Sequence, residues 1–169
     1  MFVFDASTLI LLAKIELLGK LTDEIDMMIT ETIEKEATAK KDAFDSKLIQ
    51  SLIEKGDILV ESVEEDPTVE ELMKDFNMDR GESTALVLYQ RKNAKILASD
   101  DGQLIKAAKV MGVPFATSIN FLIRARKKGL IEKDIALEKL KKLEEFGWYK
   151  TRIIEDADNK IKGGEDKDE

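Results

Sequence analysis

The chain has 169 residues, a net charge of −8 and 37% charged residues, and it contains neither His nor Cys. Those two absences exclude disulfides, thiolate or imidazole zinc sites, Ser-His-Asp triads and cysteine nucleophiles oriented by His. Whatever chemistry remains must come from carboxylates, hydroxyls, Lys and Arg. A chain of this length suits one domain, expected over residues 1–155, with a charged tail over 156–169 that frays after about Ile161.

In chain order, Phe2, Val3 and Phe4 form a short apolar run ending in Asp5, the mark of a buried strand. Ser7 is placed to cap a helix through Thr8 and Ala13, and Leu17, Leu18 and Leu21 suggest a second short helix. Met27, Met28 and Ile29 read as a strand, after which Thr30 is a good N-cap for a helix carrying Ile33 and Glu36. Leu48, Ile49, Leu52 and Ile53 have helical spacing up to Gly56, and residues 58–60 suit another strand. Pro67 can open a helix. Residues 79–93 predict a strong one, with Ala85, Leu86, Leu88 and Tyr89 on its apolar face. Residues 95–98 read as a strand ending in Ser99, Asp100 and Asp101, followed by a helix that Gly112 stops. A short strand at 113–116 contains Pro114, which suits a sheet edge. Ser118 can cap a helix through Phe121, and a further helix is expected over 130–146. Strands alternating with helices predict an α/β fold with a mainly parallel sheet covered on both faces.

In open parallel sheets, sites lie beyond the carboxyl ends of the strands. Two of the best strands end there in acids, Asp5 and the pair Asp100 and Asp101. Asp is common in turns as a helix cap, so each alone has an ordinary explanation. Glu36 reads either as a solvated helix charge or as a site acid. Glu34, two residues earlier, is separated from it by about 200° around the helix, so one of the two faces inward, and Ile33 and Ala37 favour Glu36. Glu82 shares the inward stripe of Ala85, Leu86 and Tyr89. It is either a first-turn carboxylate complementing the helix dipole or an acid aimed at a site. Carboxylates gathered together repel one another unless a cation intervenes. Without His or Cys, the natural partner is a hard ion with oxygen ligands, Mg²⁺ or Mn²⁺.

Four segments then occur in a familiar order: Val3-Phe4-Asp5-Ala6-Ser7, Ile33 with Glu36, Gly81-Glu82-Ser83-Thr84-Ala85, and Ser99-Asp100-Asp101. They resemble the acidic motifs of the PIN-domain family of archaea and bacteria. The basic stretch through Arg124, Arg126, Lys127 and Lys128 to Gly129, Leu130 and Ile131 resembles one subgroup, as does Phe146-Gly147-Trp148. The resemblance covers nearly the whole chain. It implies a PIN-like three-layer α/β/α fold and a Mg²⁺- or Mn²⁺-dependent endoribonuclease acting through a metal-activated water. Toxins of toxin–antitoxin pairs are among its members, so an antitoxin is one implied partner beside the RNA substrate.

Carried over position by position, the resemblance makes Asp5, Glu36, Glu82 and Asp100 the catalytic acids, with Asp5, Glu82, Asp100 and Asp101 at the metal. Ser7 corresponds to a residue orienting the first Asp, and Thr117 or Ser118 to a hydroxyl near the site. Lys106 stands where the subgroup often carries Arg, and with Arg124, Arg126 and Lys127 it forms the expected RNA-contacting set. The residues alone also allow those cations to be a solvated helix end, where positive charge is favoured.

Two other readings stand beside this one. The first is a PIN-fold RNA-binding or scaffold protein without catalysis. The second is a phosphotransfer domain, against which the Asp-Asp pair falls on a late strand and Asp5 lacks a second Asp two residues on. The Leu-rich early helices read equally as core or as a homodimer surface. No apolar run reaches the roughly 20 residues of a membrane span, and the first residues lack a basic signal-peptide start, so a cytoplasmic protein is expected.

Overall fold

The computed structural model describes residues 1–163. Five strands form one all-parallel sheet: β1 (Phe2–Phe4), β2 (Met27–Thr30), β3 (Ile58–Glu61), β4 (Ile96–Ala98) and β5 (Phe115–Ala116), in the order β3-β2-β1-β4-β5. The central strands are apolar without alternation because both of their faces are covered. Val3, Phe4, Ile29 and Leu97 are fully buried. The outer strands are less buried, and Pro114 precedes the edge strand β5, where its missing N–H costs no ladder bond.

Between the strands run α1 (Ala6–Lys14), α2 (Leu18–Thr22), α3 (Glu31–Ala37), α4 (Phe44–Glu54), α5 (Pro67–Phe76), α6 (Arg80–Lys92) and α7 (Gly102–Met111). The chain steps outward from β1 to β2 to β3, then returns across the sheet to β4 and continues to β5. With right-handed crossovers, that reversal assigns α1–α4 to one face and α5–α7 to the other. Most of the packing agrees: α1 rests on α3 and α4, and α6 rests on α5, α7 and the strands β1, β2 and β4, while α3 also meets α6. The result is a three-layer α/β/α fold, and the reversal lies between β1 and β4.

Local signals account for the helix ends. Thr30 accepts the N–H of Ile33, Asp66 accepts that of Thr68 ahead of Pro67, and Asn93 and Gly112 adopt the left-handed conformation that closes α6 and α7. Two expected caps are corrected. Ser7 lies inside α1, whose N-cap position is taken by Asp5, and Ser118 is the first residue of its helix rather than the residue before it.

The chain divides into two compact units, Met1–Thr117 and the segment from Ser118 onward, where one domain was expected. The second unit consists of α8 (Ser118–Lys127), α9 (Lys133–Phe146) and α10 (Thr151–Ile161), packed on one another. The boundary expected at 155/156 falls within α10. Ala157 and Ile161 are buried there, so apolar contact carries the helix past the point where the composition turns polar. Residues 164–169 of the expected tail lie outside the described residues.

Candidate active site

The carboxyl ends of β1 and β4 meet at the sheet's reversal, and each is followed by acids. Asp5 is 3% exposed. Its Oδ2 accepts hydrogen bonds from Ser7 Oγ (2.9 Å) and Ser99 Oγ (3.0 Å), and its backbone N–H donates to Ala98 O (2.8 Å). Ser7 and Ser99 each work twice. Ser7 Oγ accepts the N–H of Asp100 and Ser99 Oγ accepts that of Asp101, both at 3.0 Å. Two hydroxyls therefore tie the β1 turn to the β4 turn. Thr8 Oγ1 completes the seam by donating to Asp100 Oδ2 at 2.6 Å. Burial is the main influence on Asp5 and raises its carboxyl from 3.8 to about 6; the Ser7 and Ser99 bonds oppose the rise and the Asp101 charge adds to it.

The first turn of α6 brings two more acids. Asp79 is its N-cap and forms a reciprocal capping box with Glu82. Asp79 Oδ1 accepts the Glu82 N–H at 2.8 Å, and Glu82 Oε2 accepts the Asp79 N–H at 3.0 Å. The dipole-complementing and site-facing readings of Glu82 are thus both true of one side chain. Burial, first, then the charges of Asp101 and Asp79 and an interaction with the Asp101 side chain together raise Glu82 to about 8, against the Asp79 backbone bond that lowers it.

Glu36 reaches the same place from α3. Its Oε2 would lie 2.8 Å from a Cβ on Gly81, which is how closely it approaches the first turn of α6. Burial raises its pKa, and so do the charges of Asp5, Asp79 and Asp101. The N-cap of α3 and the body of α6 are joined by Thr30 Oγ1 and Thr84 Oγ1 at 2.8 Å. Glu64 accepts the N–H and Oγ1–H of Thr32 (3.0 and 2.8 Å), which fastens the first turn of α3.

The acids are therefore gathered, but unevenly. Asp5, Glu36, Glu82 and Asp101 are joined electrostatically, while Asp100 is held by Thr8 beside them. Among the described residues, no three acidic side chains lie close enough together to hold one ion between them. Asp101 also caps α7, accepting the N–H groups of Gln103 (2.8 Å) and Leu104 (3.0 Å). Thr117 directly follows β5, whose Ala116 O accepts the N–H of Ser99 at 3.0 Å. Lys106 is exposed on α7. Ser118, and Arg124, Arg126 and Lys127 in the last turn of α8, belong to the second unit.

Sequence reasoning passed over Thr8, Asp79, Gly81 and the bridging role of Ser99. Asp79 had a readable signal, since an Asp three residues before a Glu at the head of an apolar helix is a capping box. The others depend on side chains meeting across the fold.

A doubly wound sheet with buried carboxylates beyond its reversal defines an acidic-site α/β protein. The chain matches the family model DUF3368, a PIN domain, over residues 1–161, so it belongs to the PIN-domain family. That match spans both units. PIN domains are generally nucleases and typically use divalent metals. No curated protein and no solved structure matches the chain. Among the described residues, no helix is long and apolar enough to cross a membrane.

Proposed function

We propose that the chain is a Mg²⁺- or Mn²⁺-dependent endoribonuclease that hydrolyses RNA phosphodiesters at this acidic cluster. One observation carries the proposal: the charges acting on Glu36 are those of Asp5, Asp79 and Asp101, all acidic, so these gathered carboxylates repel one another and favour a cation. The donors fit a hard cation, because every one is a carboxylate oxygen. An ion of this kind would keep several of its waters and would need only a few of these carboxylates. Asp5, Glu82, Asp100 and Asp101 are the proposed holders, with Glu36 beside them. When bound, the cation lowers the pKa of a coordinated water and offsets charge on the phosphate.

The chain's own residues supply position and proton handling. Ser7 and Ser99 fix one oxygen of Asp5, and Thr8 fixes one of Asp100. Glu82, raised chiefly by burial to about 8, is protonated at neutral pH while no cation is present. Glu82 would have to give up that proton to serve as a metal ligand. Lys106, Arg124, Arg126 and Lys127 are the proposed contacts to the RNA backbone, whose recognition falls steeply with salt.

The test is cleavage of single-stranded RNA by purified protein with Mn²⁺ or Mg²⁺. Asp5→Asn and Asp100→Asn are each expected to abolish it, and undiminished cleavage by both refutes the proposal. The second reading is an RNA-binding PIN fold without catalysis. RNA retained without cleavage, with either cation, would establish that reading instead.

A further inference from the structure

Gly81 is the second residue of α6, and its backbone is helical rather than left-handed. A helix has no need of glycine there, and glycine within a helix is less stable than alanine. Only one nearby atom would seriously object to a side chain. A Cβ at position 81 would meet Glu36 Oε2 at 2.8 Å, while Asp79 Oδ1 at 3.4 Å and Ile33 Cγ1 at 4.0 Å are ordinary contacts. The space that a methyl group would fill is occupied by the Glu36 carboxylate. That carboxylate therefore lies against the first turn of α6, where unpaired N–H groups and the helix dipole favour an anion.

We infer that Gly81 is a positioning residue, whose missing side chain seats the Glu36 carboxylate against α6 and within the acidic cluster. The obstructing atom is the far end of a flexible chain, so an alanine at 81 costs the fold little. It displaces the carboxylate and leaves the helix intact. The consequence for a cation rests on the proposed metal role of the cluster; the seating itself does not.

Four full-length proteins separate the two: wild type, Gly81→Ala, Glu36→Ala and the double variant, compared in metal-free melting and in Mn²⁺ binding by calorimetry. In the Glu36→Ala background, Ala at 81 should raise Tm by about 2–4 °C, the ordinary gain for Gly→Ala in a helix. With Glu36 present the gain should be smaller or absent. Mn²⁺ affinity should fall about 10-fold or more in Gly81→Ala, as for loss of a residue supporting a metal ligand. It should change by less than about 2-fold when alanine is added to Glu36→Ala. Equal Tm gains in both backgrounds, or equal Mn²⁺ losses in both, overturn the inference. Unequal Tm gains with wild-type Mn²⁺ affinity in Glu36→Ala support the seating and remove Glu36 from the proposed metal site.

Discussion

Replacing Asp5 with Asn exchanges a buried carboxylate for a neutral side chain of the same shape. The Asn carbonyl can take the place of Oδ2 and keep the hydroxyls of Ser7 and Ser99 as donors. What disappears is the charge. Burial, the leading cause, raises Asp5 from 3.8 to about 6, and at about 1.4 kcal/mol per pH unit that rise corresponds to about 3 kcal/mol. The sign follows from linkage. Below pH 3.8 the folded and unfolded chains both carry a protonated Asp5, and its full contribution to stability is present. As pH rises toward about 6 the unfolded chain ionises first and stability is lost; above about 6 the loss is complete. Asp5→Asn escapes that loss. In metal-free protein it should melt about 2–4 °C above wild type at pH 4.5, where about 1 kcal/mol has already been lost, and roughly 6–12 °C above it at pH 8. Mn²⁺ at about 100 times its dissociation constant should return about 2.7 kcal/mol to wild type and so close most of the gap. Calorimetric melts at the two pH values, with and without Mn²⁺, measure all of this. A gap that is equal at both pH values, or a variant less stable at pH 8, would refute the buried-charge account of Asp5.

Two further outcomes follow from the same electrostatics. At subsaturating Mn²⁺ the cleavage rate should climb between pH 6 and about 8 as Glu82 gives up its proton, and the midpoint should move to lower pH as Mn²⁺ is raised, because cation and proton compete; a midpoint indifferent to Mn²⁺ would contradict this. Asp101→Asn keeps a side-chain oxygen for the N–H groups of Gln103 and Leu104, whereas Asp101→Ala loses the cap and about 1 kcal/mol, a Tm roughly 2–4 °C lower. Both variants remove the charge beside Glu82, so a carboxyl NMR titration should show its pKa falling in each. Equal melting of the two variants would dismiss the cap, and an unmoved Glu82 would dismiss the coupling.

Asp79 and Glu82 show why helix capping and site building are hard to separate. The capping box holds Glu82 at one carboxylate oxygen, and the same side chain meets Asp101. Asp101 in turn caps α7. Acids of the cluster thus do structural work in the free protein.

The sequence by itself determined the local elements. Apolar runs of three or four residues marked β1, β2 and β4, because parallel strands buried on both faces have no polar side to alternate with. Thr30, Pro67, Gly56 and Gly112 marked helix ends through backbone chemistry that needs no tertiary partner. The lack of His and Cys confined the chemistry to oxygen ligands, and the order of four acidic motifs carried the family. Tertiary structure decided the rest. Strand order, and with it the meeting of β1 and β4, depends on which way each crossover turns. The division after Thr117 depends on contacts between residues distant in sequence. Whether Ser7 caps a helix or orients Asp5, and whether Glu36 finds room beside Gly81, depends on distances between elements that no local pattern encodes. The carboxylates that opened the case were visible in the sequence, but the hydroxyls that bind them together and the glycine that admits one of them became visible only when the chain was folded.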